Sequence, residues 1–185
     1  MGVSNRHYLV IDLEATCWEQ TDPLKGENEI IEIGLVILSP QKQELWRGGW
    51  FVRPQRNPIL SSFCTQLTSI KQSEVDSAED FSTVMTKLDV QVRNVTSSAV
   101  ADSLFVSWGN YDRRQFQSDC TLHGYSYPFG EHLNLKQEFM RRHNLKRTGM
   151  AAALKLLELP LLGTHHRGVD DAVNISRILQ QMADL

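Results

Sequence analysis

Cysteine is scarce in this 185-residue chain: Cys17, Cys64 and Cys120 are odd in number and widely separated. That count excludes a disulfide-stapled scaffold, and the spacing lacks the close pairs of a structural zinc site. A reducing, cytoplasmic setting is the expectation. No apolar run approaches the ~18 residues that read as a membrane span, and Met1 to His7 lack the apolar core of a cleaved leader. Neither membrane insertion nor export is expected. An excess of one charge sign is missing too: 19 basic and 22 acidic residues leave a formal net charge of -3. A polyanionic partner would therefore need a local basic patch and bound metal rather than a global field. Repeats, low-complexity tracts and composition breaks are also absent, so one domain over residues 1–185 is expected. At 41% hydrophobic content, a domain of this size buries about two-thirds of its unfolded surface.

Periodic patterning supplies the elements. Three strands are expected at Tyr8 to Leu13, Ile30 to Leu38 and Glu44 to Val52, the last two joined by the polar turn Ser39-Pro40-Gln41-Lys42. They form an antiparallel meander. Glu19 to Asn28, rich in charge and turn formers, reads as a loop beside the end of the first strand. Short helical segments follow Ser61 and Ser62. A longer helix is expected over Glu79 to Val92, where Phe81, Val84, Met85, Leu88 and Val92 recur at helical spacing. Leu104 to Trp108 is a short buried strand and Asp112 to Leu122 a helix. His132 to Leu135 is a strand candidate, helices start near Leu135 and Thr148, and the last helix begins near Val169. Early strands and interleaved later helices predict an α/β fold, a mixed sheet covered by helices.

The chemistry lies in five scattered residues. Positions two apart on a strand share a face, so Asp12 and Glu14 stand side by side. Burial of that strand on both faces presses two carboxylates into poorly hydrated space, where repulsion is costly unless cations offset it. Mg2+ or Mn2+ is the natural counter-ion. Taken alone, Asp112 reads as a helix-capping residue, and Asp170 and Asp171 as carboxylates gaining from a helix N-terminus. Those readings do not explain why every one of these acids lies at the edge of a buried element, where strand ends would bring them together. Asp170 and Asp171 are about 100° apart around a helix, so only one can face such a cluster.

The residues Asp12-Leu13-Glu14-Ala15-Thr16-Cys17, Phe63-Cys64-x-x-Leu67-Thr68-x-Ile70-x-Gln72-x-x-Val75, Tyr111-Asp112 and His166-x-x-x-x-Asp171-Ala172-x-Asn174 stand in order along the chain. Together they resemble the DEDDh 3′-to-5′ exonuclease superfamily, and most closely its histone-mRNA and enhanced-RNAi exonucleases. The resemblance implies a ribonuclease H-like fold: a mixed five-stranded sheet with the three-strand meander first and helices on both faces. It also implies removal of nucleoside 5′-monophosphates from the 3′ end of a single-stranded nucleic acid, RNA in the first instance. Asp12, Glu14, Asp112 and Asp171 match the family's ligands for two divalent cations, Mg2+ or Mn2+, and His166 matches its general base. Two ions roughly 3.5 to 4 Å apart can generate the attacking hydroxide and stabilise the leaving oxygen. An imidazole with an unperturbed pKa of about 6.5 suits the proton transfer. The spacing selects His166 and Asp171 and leaves His165 and Asp170 outside the metal set.

Phe63 and Tyr111 match the positions that sandwich the terminal base, Leu67 and Thr68 match positions that contact its nucleotide, and Ala15 matches a backbone contact to the sugar hydroxyl. Core packing is the competing reading for the two aromatics. Leu13 and Tyr111 depart from the Phe and Trp common in animal members. No N-terminal accessory domain is evident, so specific recognition of histone-message stem-loops is not expected. Gly163 and Gly168 flank the histidines and fit either loop motion or plain turns, with turns favoured. Lys136, Arg141, Arg142, Lys146 and Arg147 form a basic cluster, read first as a solvated helix face and second as a phosphate contact. Two other functions stay open: a DNA-directed proofreading or repair exonuclease, and a non-catalytic module that holds nucleic-acid ends.

Overall fold

The computed structural model describes residues 6–23 and 25–182. Its centre is β1 (Tyr8–Ala15), which pairs antiparallel with β2 (Ile30–Leu38) and parallel with β4 (Leu104–Ser107). Adding β3 (Glu44–Phe51) and β5 (His132–Asn134) gives a five-stranded mixed sheet in the order β3-β2-β1-β4-β5. A strand covered on both faces reads as a continuous apolar run. All nine residues of β2 are buried accordingly, in a sequence whose only charge is Glu32. Alternation then divides the side chains between two cores. Leu9, Ile11, Ile33, Leu35 and Ile37 join the core under α3 (Phe81–Thr96) and α4 (Tyr111–Leu122). Tyr8, Val10, Val36 and Leu38 join the core under α5 (Leu135–Arg142), α6 (Met150–Leu156) and α7 (Gly168–Gln180). Helices thus cover both faces. Two short helices, α1 (Ser62–Thr68) and α2 (Gln72–Asp76), cover a third, smaller cluster around Ile31, Cys64, Ile70 and Val75.

Three elements differ from expectation by two residues or more. β1 runs two residues past Leu13 because β2 continues beside it through Glu14 opposite Glu32, with an irregularity in register between Glu14 and Ala15. Such a bulge bends a strand and re-aims its side chains. The long helix begins and ends later than its apolar stripe suggested. Asp80 caps it by accepting the Thr83 N–H at 2.8 Å, and its last turn continues to Thr96, with Ser97 in the left-handed conformation beyond. The sixth helix starts at Met150 rather than near Thr148.

One contact fixes the site's geometry. A Cβ built on Gly34 would lie 1.9 Å from the Gly168 backbone carbon, and one on Gly168 would lie 3.2 Å from the Asp12 carbonyl oxygen. Only glycine lets the first turn of α7 sit directly on β2 and β1. That seat carries Asp171 over the strand holding Asp12 and Glu14.

Candidate active site

The carboxylates predicted from sequence converge where β1 ends. Asp12, Glu14 and Asp171 each offer an oxygen within 4.8 Å of the others, and His165, His166 and Asp171 form a second such group. Asp112, in the first turn of α4, lines the same cleft, and its Oδ1 accepts the Leu13 N–H at 3.1 Å. That bond ties α4 to the strand between the two β1 acids. The cleft holds about 330 Å3.

Its electrostatics are those of crowded anions. Burial is the largest cause pushing Asp12 well above the ordinary carboxylate range, followed by the charges of Asp112, Asp171, Glu14 and Glu32. Glu14 is pushed up to about 8 by burial and then by Asp171 and Glu32. Burial raises Asp112 to about 6 against its hydrogen bonds, and Asp171 is raised for the same reason. Hard oxygen donors in this number suit Mg2+ or Mn2+, which favour carboxylates over soft ligands. The donor set fits a divalent cation, and one would remove the repulsion that the protein itself leaves standing.

The two histidines stack, with ring centroids 4.0 Å apart. His165 places Nδ1 3.0 Å from Asp171 Oδ2, while His166 donates its backbone N–H to the same oxygen at 2.9 Å. His166 adopts φ 64°, a left-handed conformation that this pair of contacts over-determines. Burial, and then His165, lower the His166 pKa below 6.5 against the pull of Asp171. The direction favours the neutral imidazole. Asp170 faces the other way, accepting the Thr164 N–H at 2.8 Å. Its carboxyl carbon fills the space beside Gly163, whose φ of 69° marks a turn.

The substrate-side residues divide. Ala15, Leu67 and Tyr111 line the cleft, and Asn28 donates to the Tyr111 hydroxyl at 3.5 Å. Phe63 and Thr68 do not reach the lining. Thr68 is fully buried, its hydroxyl donating to the Cys64 carbonyl at 2.9 Å and accepting from the Ile70 N–H at 3.1 Å; Phe63 is half-buried on α1. Leu67 is the residue of α1 that lines the cleft.

Sequence reasoning missed two features. Trp108 and Met150 line the cleft from distant elements, for which spacing gave no signal. Glu32 did carry one, as the lone acid in a buried strand. It accepts the Gly168 N–H at 3.0 Å and faces Arg167, with N–O distances of 3.3 and 3.4 Å. Arg167 in turn lies 5.4 Å over the Phe51 ring. This clamp grips the chain between His166 and Asp171.

A family model described as exonuclease matches residues 9–179. The chain belongs to the exonuclease family. It is 33% identical over 183 residues to the 3′-5′ exoribonuclease 1 of Homo sapiens, covering 95% of this chain and 52% of that protein. Among solved structures, the nuclease domain of 3′hExo, a DEDDh family member bound to rAMP, superposes with a TM-score of 0.88 at 29% identity, covering 97% of this chain and 92% of that one. A structure described as 3′-end specific recognition of histone mRNA stem-loop by 3′-exonuclease matches with a TM-score of 0.84 at 27% identity, over 97% of this chain and 64% of that one. The exonuclease chain spans about half the length of its human relative, and 34% of the ERI1 exoribonuclease 2 of Danio rerio. Its sheet order and covering helices are those of the ribonuclease H-like fold expected from sequence.

Proposed function

We propose that the protein is a metal-dependent 3′-to-5′ exonuclease that releases nucleoside 5′-monophosphates from single-stranded RNA. The observation that carries this reading is the convergence of Asp12, Glu14, Asp112 and Asp171 with a histidine pair in one cleft. Asp12, Glu14, Asp112 and Asp171 would hold two divalent cations, Mg2+ or Mn2+. Bound there, the cations would activate water and stabilise charge on the leaving oxygen. His166 accepts the proton of the attacking water. The water oxygen bonds to phosphorus as the P–O3′ bond breaks, and the electron pair leaves on the 3′ oxygen of the shortened strand, which takes a proton from solvent. Asp171 holds the His166 loop through the backbone N–H, so ligand and base share one anchor.

Tyr111 and Leu67 flank the terminal nucleotide, and Ala15 meets its sugar. A contact to the 2′-hydroxyl distinguishes RNA from DNA. The relatives named as exoribonucleases and the rAMP-bound nuclease domain support the same choice. The test is chromatographic detection of monophosphates from matched RNA and DNA single strands with added Mg2+ or Mn2+. Release from RNA, lost in Asp12→Ala, is expected. Equal cleavage by Asp12→Ala would overturn the enzyme reading, and a strong DNA preference would overturn the choice of RNA.

A further inference from the structure

The cleft is poor at attracting what the proposed reaction consumes. Asp12, Glu14, Asp112, Asp171 and the adjacent Glu32 crowd together, and the guanidinium of Arg167 is already held by Glu32. Divalent cations would neutralise these acids and leave no surplus positive charge for backbone phosphates upstream of the bond being cut. That charge lies next door. A cavity of about 390 Å3 is lined by Lys136, Met140, Lys146, Arg147, Thr148 and Gly149, with no acidic side chain in its wall.

Two contacts join this cavity to the cleft. Gly149 lines one and Met150, the next residue, lines the other. Trp108 of the cleft wall lies 5.8 Å, ring to ring, from Phe139 on α5, the helix that carries Lys136 and Met140. The neighbouring basic residues behave differently. Arg141 and Arg142 both bond Glu138, at 2.7 and 2.8 Å, so their charge is spent on their own helix. Among the described residues, Lys136, Lys146 and Arg147 make no ion pair. The basic cluster seen in sequence is therefore two groups, one self-neutralised and one available.

We propose that Lys136, Lys146 and Arg147 form a phosphate-binding track that holds the backbone of a single-stranded nucleic acid upstream of the scissile bond. This deepens the exonuclease reading and rests on it. An ammonium gives a phosphate a point charge, and a guanidinium adds a bidentate contact. Because the track meets phosphates and no bases, it confers grip on length rather than on sequence.

The test pairs the triple variant Lys136→Gln/Lys146→Gln/Arg147→Gln with a control on the same helix, Arg141→Gln/Arg142→Gln. Each is assayed on a 20-nucleotide single-stranded RNA and on the p-nitrophenyl ester of a nucleoside 5′-monophosphate, a phosphodiester whose leaving group is p-nitrophenolate instead of a 3′ oxygen and which has no upstream phosphate. Fluorescence anisotropy of labelled RNA gives binding independently of turnover. At low salt the triple variant should bind and turn over the 20-mer with Kd and KM raised about tenfold or more and kcat unchanged. With ~0.7 of slope lost per phosphate contact on a single strand, log affinity against log salt should flatten by about 2. Ester hydrolysis, the thermal midpoint and the control variant should match wild type. The proposal is overturned if RNA affinity in the triple variant is unchanged, if the ester loses as much as the RNA, or if the control loses as much as the triple variant. A wild type that binds RNA through these residues but cleaves neither substrate would sink the hydrolytic reading and leave the track standing.

Discussion

Divalent cations should drive protons out of this protein. Glu14, pushed up to about 8, should be mostly protonated at pH 7 when no metal is bound, and a carboxylate must lose that proton to act as a ligand. Asp12 is raised by the same burial and crowding, so binding at pH 7 should release at least about one proton per protein. Apparent metal affinity should strengthen by up to about tenfold per pH unit between roughly pH 6 and 8 for each proton displaced. Stability follows the same linkage with opposite sign in the metal-free protein. Between the ordinary carboxylate pKa and about 8, the folded form keeps a proton that the unfolded chain has lost, so the thermal midpoint should fall as pH rises through that window. Metal at about 100 times its Kd restores about 2.7 kcal/mol, which for a chain of this size raises the midpoint by roughly 5 to 10 °C. The effect should be larger at pH 8 than at pH 5. Calorimetric titration with Mn2+ at pH 7, in two buffers of different ionisation enthalpy, counts the protons directly. Zero release, with affinity flat from pH 6 to 8, would refute the crowding argument.

Substitutions at three positions probe the same geometry. Asp12→Asn should cost at least about three orders of magnitude in kcat, since ligand removal disables the whole unit; it should raise the metal-free midpoint at pH 8, and a lower midpoint would count against repulsion at this site. Gly34→Ala drives a methyl into the Gly168 backbone and should destabilise by about 1–3 kcal/mol or more in urea unfolding; an unchanged midpoint would mean that α7 is not seated on β2. Glu32→Ala strands Arg167 and the Gly168 N–H and should cost about 1–3 kcal/mol. Its kcat should fall more than its KM rises, with partial rescue by Glu32→Gln, which keeps an acceptor for Gly168; equal damage in both variants would show that the charge alone matters.

Much of this arrangement was legible before folding because it rests on local periodicity. The β2 run announces itself as an unbroken apolar stretch and the α3 stripe through period-3.6 burial, and Asp12 and Glu14 share a face because a strand alternates. Register was not legible. That Glu14 stands opposite Glu32 depends on pairing across the loop, so the clamp on Arg167 could not be inferred from spacing, although an acid in an otherwise apolar strand was a usable sign. Trp108 and Met150 reach the cleft only through tertiary packing. Thr68 combines two demands, since its place in a motif suggests a nucleotide contact while its hydroxyl satisfies backbone groups of its own helix end. The basic cluster divided only once Glu138 was seen to reach both arginines.

The meeting of Gly34 with Gly168 sets a main-chain gauge for the acidic cage. Because neither glycine has a side chain, the approach of α7 to β2 at this point is set by backbone contact. A cage held by so stiff a spacer should discriminate between ions by radius. Mg2+, bound at about 2.1 Å, should seat more readily than Ca2+, whose ligands stand at about 2.3 to 2.6 Å and which prefers a larger, more flexible shell.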